Sequence, residues 1–256
     1  MTVLIGKELR ELRKTHRFII LPLVFVVFGI GGPALIRLLP LLLESTPADF
    51  QMTLPDFGPA DGLAQFLELS RQLGLLAVIV VYMGIVAGER REGILAVLFV
   101  KPVSRLAYLV ARWGVNGLYV AVSFLLGSGF AVLYARLLLG PPQYGTALAV
   151  TGLYLTYVLL VFSWTTFFSS WTKNPAAAAG LSILPLFALP AVGYLWRPLA
   201  EYGPYGAVAA GTGALGAAGV PAENLAASAV VSAVLNLVWS AACVLGAYAV
   251  LRRTEL

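Results

Sequence analysis

Apolar residues fall in six long blocks along the chain, at 18–36, 65–87, 113–135, 147–170, 176–196 and 225–251. A helix needs about 20 such residues to cross the roughly 30 Å hydrocarbon core of a bilayer. None of the blocks alternates over about 10 residues, as strands of a membrane barrel would. The pattern predicts an all-α integral membrane protein, a single transmembrane domain over 1–256 with six transmembrane helices. Before the first block, Ile5, Leu9 and Leu12 recur at helical spacing, while Lys7, Glu8, Arg10, Glu11, Arg13 and Lys14 fill the other face. Residues 1–17 are therefore expected to form an interfacial helix, apolar side in the acyl boundary and basic side among headgroups. A solvated basic tail that only sets topology is the other reading. The first block is longer than the core of a signal peptide and no A-x-A-like site follows it, so it reads as a retained anchor.

The break between the second and third blocks, 88–112, has an order of its own. Gly88 and Glu89 end the apolar pattern, and Glu89 and Glu92 suit the positive end of a following helix. Ile94, Leu95, Leu98 and Phe99 make an apolar face of about a turn and a half. Pro102 disfavours helix at Lys101, and Ser104 offers an N-cap to the helix that enters the third block. The result is helix, break, helix, with a compact apolar knob held just outside the membrane. The last break, 201–224, carries six glycines among alanines. It is too interrupted to span and too apolar for a solvated linker, which favours short helices dipping into the membrane edge.

Composition strengthens the membrane reading. The chain is 60% hydrophobic and 11% charged, with mean hydropathy +0.89, against about 25% charged residues in soluble domains. The net charge of +5 does not point to nucleic acid, because the basic residues sit beside the apolar blocks. Thirteen of the 17 Lys and Arg fall in the N-terminal tail, the second and fourth breaks and the C-terminal tail; Arg37, Arg71, Arg136 and Arg197 lie on the other side. The positive-inside rule then places both termini in the cytoplasm, in a multi-pass protein of the cytoplasmic (inner) membrane.

The chain carries no phosphate-binding G-x-x-x-x-G-K-[ST] loop, no G-x-S-x-G elbow and a single histidine, His16, in the basic tail. One Cys, one His and three Met do not cluster into a soft-metal site. The blocks hold no central charge to mark a proton path. An enzyme, a metal relay and a self-powered proton-coupled carrier are all disfavoured, and no cofactor is expected on this chain.

Glu89, Gly93-Ile94-Leu95, Leu98-Phe99 and Pro102-Val103-Ser104-Arg105 resemble the first cytoplasmic loop of type-2 ATP-binding cassette (ABC) transporter permeases, including the branch linked to multicopper enzyme maturation. That pattern is an acidic residue, Gly-Thr-Leu, Leu-Leu and Pro-x-Ser-Arg; here Ile94 replaces the common threonine and Phe99 a leucine, both apolar. The resemblance implies a coupling helix at 91–100 seated in a separate ATPase subunit, present in two copies, which would carry ATP and Mg. It implies a second permease copy, identical or closely related, and leaves room for an extracytoplasmic accessory protein. The residues implied in docking are Glu89, Arg90, Arg91, Glu92, Gly93, Ile94, Leu95, Leu98, Phe99, Lys101, Pro102 and Arg105. For the arginines and Lys101, plain positive-inside anchoring is the competing role; for Leu95, Leu98 and Phe99 it is contact with the membrane surface. The implied function is ATP-driven movement of a hydrophobic or amphiphilic substrate. The alternative is a scaffold or mechanical transmitter that does not itself transport.

Three patterns inside the blocks carry further expectations. Ser123, Gly127, Ala131 and Ala135 are four apart and suit close helix packing. Pro185 and Pro190 permit either a gating bend or ordinary curvature. Ser228, Ser232, Asn236 and Ser240 form a slowly winding polar stripe that either bonds between helices or lines a cavity.

Overall fold

The computed structural model describes residues 2–15, 17–44, 57–95, 104–216 and 222–253, and these are helices joined by short turns, with no strand among them. In order they are α1 (Thr2–Lys14), α2 (Arg17–Glu44), α3 (Pro59–Leu69), α4 (Leu75–Tyr82), α5 (Ala87–Arg91), α6 (Arg105–Leu139), α7 (Tyr144–Trp171), α8 (Pro175–Leu195), α9 (Arg197–Tyr202), α10 (Gly206–Ala214) and α11 (Ala222–Arg253). Six stretches are long and apolar enough to cross a bilayer: Phe18–Leu42, Pro59–Arg91, Arg105–Leu139, Tyr144–Trp171, Pro175–Gly193 and Ala227–Arg253. The protein is a multi-pass membrane protein.

Local chemistry sets several helix ends. Ser104 Oγ accepts from the Ala107 amide at 3.4 Å to open α6, and Gly140 closes it at φ 108°. Asn174 Oδ1 accepts from the Ala176 amide at 3.0 Å, with Pro175 in the first turn of α8.

The second span is not the uninterrupted helix expected over 65–87. A π-helical turn at Ser70–Gly74 separates α3 from α4, and the backbone leaves the helix again at 83–86. Neither break contains a proline. The second is made by a residue of another helix: Ser169 Oγ donates to the Met83 carbonyl at 2.8 Å and accepts from the Val86 and Ala87 amides at 3.0 Å each. One hydroxyl of α7 thus satisfies the backbone groups that the break exposes.

Packing follows the small-residue rule of membrane bundles. α2 lies along α6, and they meet so closely that a Cβ on Gly29 would stand 2.2 Å from the Gly127 carbonyl oxygen. A Cβ on Gly127 would meet the Phe25 carbonyl at 2.6 Å. Beside this crossing, Phe124 packs its ring against Phe25, Phe66 and Tyr154 at centroid distances of 5.6, 5.8 and 5.4 Å, joining α2, α3, α6 and α7 in one core. The Tyr154 hydroxyl donates to the Leu67 carbonyl at 3.0 Å, so its polar tip is satisfied inside that core.

Beyond α8 the chain folds back. α9 returns along α8, with a Cβ on Gly193 standing 3.5 Å from Ala200 Cα, and α10 packs on α7 and α11. Ser232 Oγ donates to the Gly203 carbonyl at 2.8 Å and accepts from the Ala207 amide at 2.7 Å. Asn236 Nδ2 donates to the Pro204 carbonyl at 3.2 Å and to Thr156 Oγ1 at 3.3 Å. The turn at 203–205 is therefore seated against the interior of the last span. The segment through 216 is a folded hairpin rather than a linker, and 217–221 lie outside the described residues.

Candidate functional site

Both flanks of the 88–112 segment converge on one buried polar cluster. Tyr108, Arg112 and Asn116 are four apart on α6 and face the same way. Lys7, Glu8 and Glu11 of α1 reach the same cluster, Lys7 and Glu11 one turn apart, and Glu89 comes from α5. Arg112, 2% exposed, is the hub. Its Nη1 lies 2.7 Å from Glu89 Oε1 and 3.2 Å from Glu8 Oε1, and its Nη2 lies 3.4 Å from Glu11 Oε1. Its guanidinium carbon stands 5.6 Å from the Tyr108 ring centroid. Glu89 is completed by Lys7 Nζ at 3.0 Å and by the Tyr108 hydroxyl, which donates to Oε2 at 2.6 Å. Asn116 Nδ2 donates to Glu8 Oε2 at 3.3 Å and to the Arg112 carbonyl at 2.8 Å.

The cluster combines three carboxylates with two cations, so full ionisation leaves one surplus negative charge on a set in which Glu8, Glu89 and Arg112 are buried and Lys7 and Glu11 are partly exposed. Burial pushes the Glu8 carboxyl above its ordinary value; Arg112 opposes the rise and Glu11 adds to it. Removing one partner from such a set is costly, because the remaining charges stay desolvated.

Two further arginines tie the same segment to other helices. Arg90 Nη1 donates to the Ser170 carbonyl at 3.2 Å, in the last turn of α7. Arg105 Nη1 donates to the Leu251 carbonyl and, at 3.0 Å, to the Arg252 carbonyl at the end of α11. Each cation sits where a helix presents unpaired carbonyls and the negative end of its dipole. Through these contacts the segment's flanks are fixed to α1, α6, α7 and α11.

The residues singled out in the sequence are distributed unevenly over this frame. Glu89, Arg90 and Arg105 bind within it. Glu89 stands in the first turn of α5 and is buried in ion pairs. Arg91, Glu92, Gly93 and Ile94 are exposed, and Leu95 is buried. The helix expected over 91–100 does not begin at Arg91. α5 ends there, Glu92 and Gly93 form a turn with Gly93 at φ 72°, and helical backbone resumes at Ile94. Leu98, Phe99, Lys101 and Pro102 lie outside the described residues. Pro185 and Pro190 sit within α8, which remains helical from Pro175 to Leu195. Ser232 and Asn236 are fully buried and bond to the hairpin turn.

Sequence reading passed over Glu8, Tyr108 and Arg112. The one available signal was the presence of two acids, Glu8 and Glu11, within an otherwise basic helix. On α1, Glu8 and Leu12 are buried against the bundle, whereas Ile5 and Leu9 are exposed at 37% and 46%, which leaves them free to face an acyl boundary. The charged side expected among headgroups supplies part of the contact with α6.

Residues 33–199 match the family model described as ABC-2 family transporter protein. The chain is also similar to the transmembrane protein YxlG of Bacillus subtilis (strain 168), at 28% identity over 207 residues, covering 77% of this chain and 80% of that protein.

Proposed function

This chain belongs to the ABC-2 family of transporter proteins, and we propose that it is the permease subunit of an ABC transporter, moving a hydrophobic or amphiphilic substrate across the cytoplasmic membrane. The energy comes from a separate ATPase subunit that holds ATP and Mg. Two such subunits work with two permease copies, the second being this chain or a close relative. Both termini and the 88–112 segment face the cytoplasm in this reading, which the 13-to-4 split of Lys and Arg supports.

The observation that carries this reading is the closed base of the 88–112 segment. A coupling element driven by an ATPase must pass displacement to the spans instead of absorbing it by bending. Here Glu89 and Arg112 lock its two flanks together and to α1, while Arg90 and Arg105 anchor it to the ends of α7 and α11. A push on the apolar knob then moves several helices as one body. The segment's base suits mechanical transmission, and the predominantly apolar spans suit an apolar or amphiphilic passenger.

The test is co-expression with the partner ATPase, purification of the complex and ATP-driven substrate movement in sealed vesicles. Leu98→Asp should still insert but lose ATPase association and transport. Unchanged association in that variant removes the docking role. Association and ATP turnover with no substrate movement would favour a mechanical transmitter acting on an extracytoplasmic assembly factor.

A further inference from the structure

The break at 83–86 is one that the chain has the means to close. Tyr82 through Gly88 contain no proline and no charged residue. A regular helix through them would pair the Ile85 amide with the Val81 carbonyl, Val86 with Tyr82, and Ala87 with Met83. Instead Ser169 of α7 takes the Val86 and Ala87 amides and the Met83 carbonyl, and the Ile85 amide tightens onto the Tyr82 carbonyl at 2.9 Å. Val86 stands at φ −118°, against about −63° in a helix. The Gly88 amide keeps its helical bond to the Gly84 carbonyl at 3.0 Å, so the departure is confined to one turn.

Ser169 has an alternative of its own. Its neighbours Ser163, Thr165, Thr166 and Ser170 each donate to the carbonyl four residues back in α7, at 2.7–2.9 Å. Ser169 turns outward, although the Thr165 carbonyl occupies the same relation to it. The two arrangements then balance bond for bond. With Ser169 inserted, its hydroxyl makes three bonds and Ile85 makes the fourth. With Ser169 turned back to Thr165, the amides of Ile85, Val86 and Ala87 pair within the second span and the count is the same. Ser169, Ile85, Val86 and Ala87 are all fully buried, so an intermediate with unpaired groups is costly and the joint has two states rather than a continuum.

We propose that 83–87 is a two-state joint with Ser169 as its latch. In the inserted state α5 hangs on α7, through Ser169 and through Arg90 at the Ser170 carbonyl. In the closed state α5 continues the helix of the second span. Val86 directly precedes α5, which carries Glu89 and Arg90, so the change at Val86 re-aims the flank of the 88–112 segment. That movement of this segment drives the joint rests on the ATPase-coupled reading; the joint itself does not.

Met83-Gly84 is the one Met-Gly pair in the chain, so ¹³C-carbonyl methionine with ¹⁵N-glycine gives a single signal from the carbonyl that changes partner. It is read by magic-angle-spinning NMR on the full-length protein in proteoliposomes. Two signals in exchange are expected, one for each partner. In Ser169→Ala the signal should collapse to the downfield position of a carbonyl paired within a helix. An upfield move, marking an unpaired carbonyl, would mean that Ser169 only patches a fixed break and would overturn the proposal. Because Ser169→Ala can misfold, Gly84→Ala, followed with ¹⁵N-alanine, is the second variant. A Cβ there meets only Pro175, at an ordinary 3.7 Å. It should raise the helical signal about fivefold over the other, the weight of Gly→Ala inside a helix. Gly88→Ala, helical in both states and with open space around the new atom, should leave the ratio unchanged. No rise in Gly84→Ala, or an equal rise in Gly88→Ala, would also overturn the joint. In the complex with the co-expressed ATPase subunit, ATP and Mg should shift the ratio; a fixed ratio during ATP hydrolysis would sever the joint from coupling. If no ATPase associates with the wild-type chain, the permease reading fails, while the signal of the chain alone still decides the joint.

Discussion

Glu89 Oε1 and Arg112 Nη1 stand 2.7 Å apart at the two ends of the 88–112 segment, joined by an ion pair almost closed to solvent. The pair converts an excursion between two spans into a loop with a fixed base. The same guanidinium also reaches Glu8 and Glu11, so the base is bonded to the N-terminal helix α1 as well.

Arg112→Ala should be severely destabilising, because Glu8 and Glu89 would remain buried without their main counter-charge. Breaking one side of a buried pair costs about 3–5 kcal/mol. Arg112→Lys should recover only part of this loss, since an ammonium cannot present the forked donors that reach three carboxylates. Thermal unfolding of the purified variants checks the order wild type, Lys, Ala. In the assembled transporter, Arg112→Lys should retain ATP hydrolysis but lose transport more than hydrolysis, because the coupling base is looser.

Gly127→Ala should separate α2 from α6. The added methyl would meet the Phe25 carbonyl at 2.6 Å, and backbone cannot yield as a side chain can. Overpacking of this sort costs about 1–3 kcal/mol. Gly129→Ala, two residues along the same helix, has nothing within 4 Å of the new atom and should be neutral or slightly stabilising. Comparing unfolding midpoints of the two alanine variants in one detergent isolates the crossing from helix propensity.

The α2–α6 crossing was legible in the chain because close approach demands small side chains at a fixed spacing, and Gly127 and Ala131 carry that mark without reference to their partner. The six spans were legible for the same reason: bilayer thickness dictates apolar length. The cluster around Arg112 was not. It assembles residues from α1, α5 and α6, and no local pattern distinguishes an arginine that pairs inward from one that only biases topology. The break at 83–86 was hidden too, since its cause is Ser169, far along the chain, and no proline or polar residue marks the site itself. Ser232 and Asn236 stood out as a polar stripe, but only the fold reveals that their partners are backbone groups of the hairpin turn.

Glu8 gives the cluster a pH dependence with a definite sign. Its carboxyl is held above its ordinary value by burial, facing Lys7, Glu11, Glu89 and Arg112. A group of this kind binds its proton more tightly in the folded state, so its contribution is full below the unfolded value of about 4.3 and is lost as pH rises through the raised folded value. Glu8→Gln, which keeps the neutral shape, should flatten the decline in unfolding temperature above that lower limit. Parallel pH curves for wild type and Glu8→Gln would assign the dependence to another group.

The hairpin depends on two side chains of α11 that take the place of water for a turn seated against the bundle. Ser232→Ala removes the acceptor of the Ala207 amide and the donor to the Gly203 carbonyl at once. Asn236→Leu removes the donor to the Pro204 carbonyl. An abandoned buried polar group costs about 1–3 kcal/mol, more than an isolated turn can supply, so the effect should be local opening before global unfolding. Hydrogen exchange at the Ala207 amide reads this directly: faster in Ser232→Ala by at least about tenfold per 1.4 kcal/mol lost, with the amides of α2 and α6 unchanged. Uniform acceleration throughout the chain would instead mean that the turn and the bundle open together, and that Ser232 supports the whole fold rather than the hairpin alone.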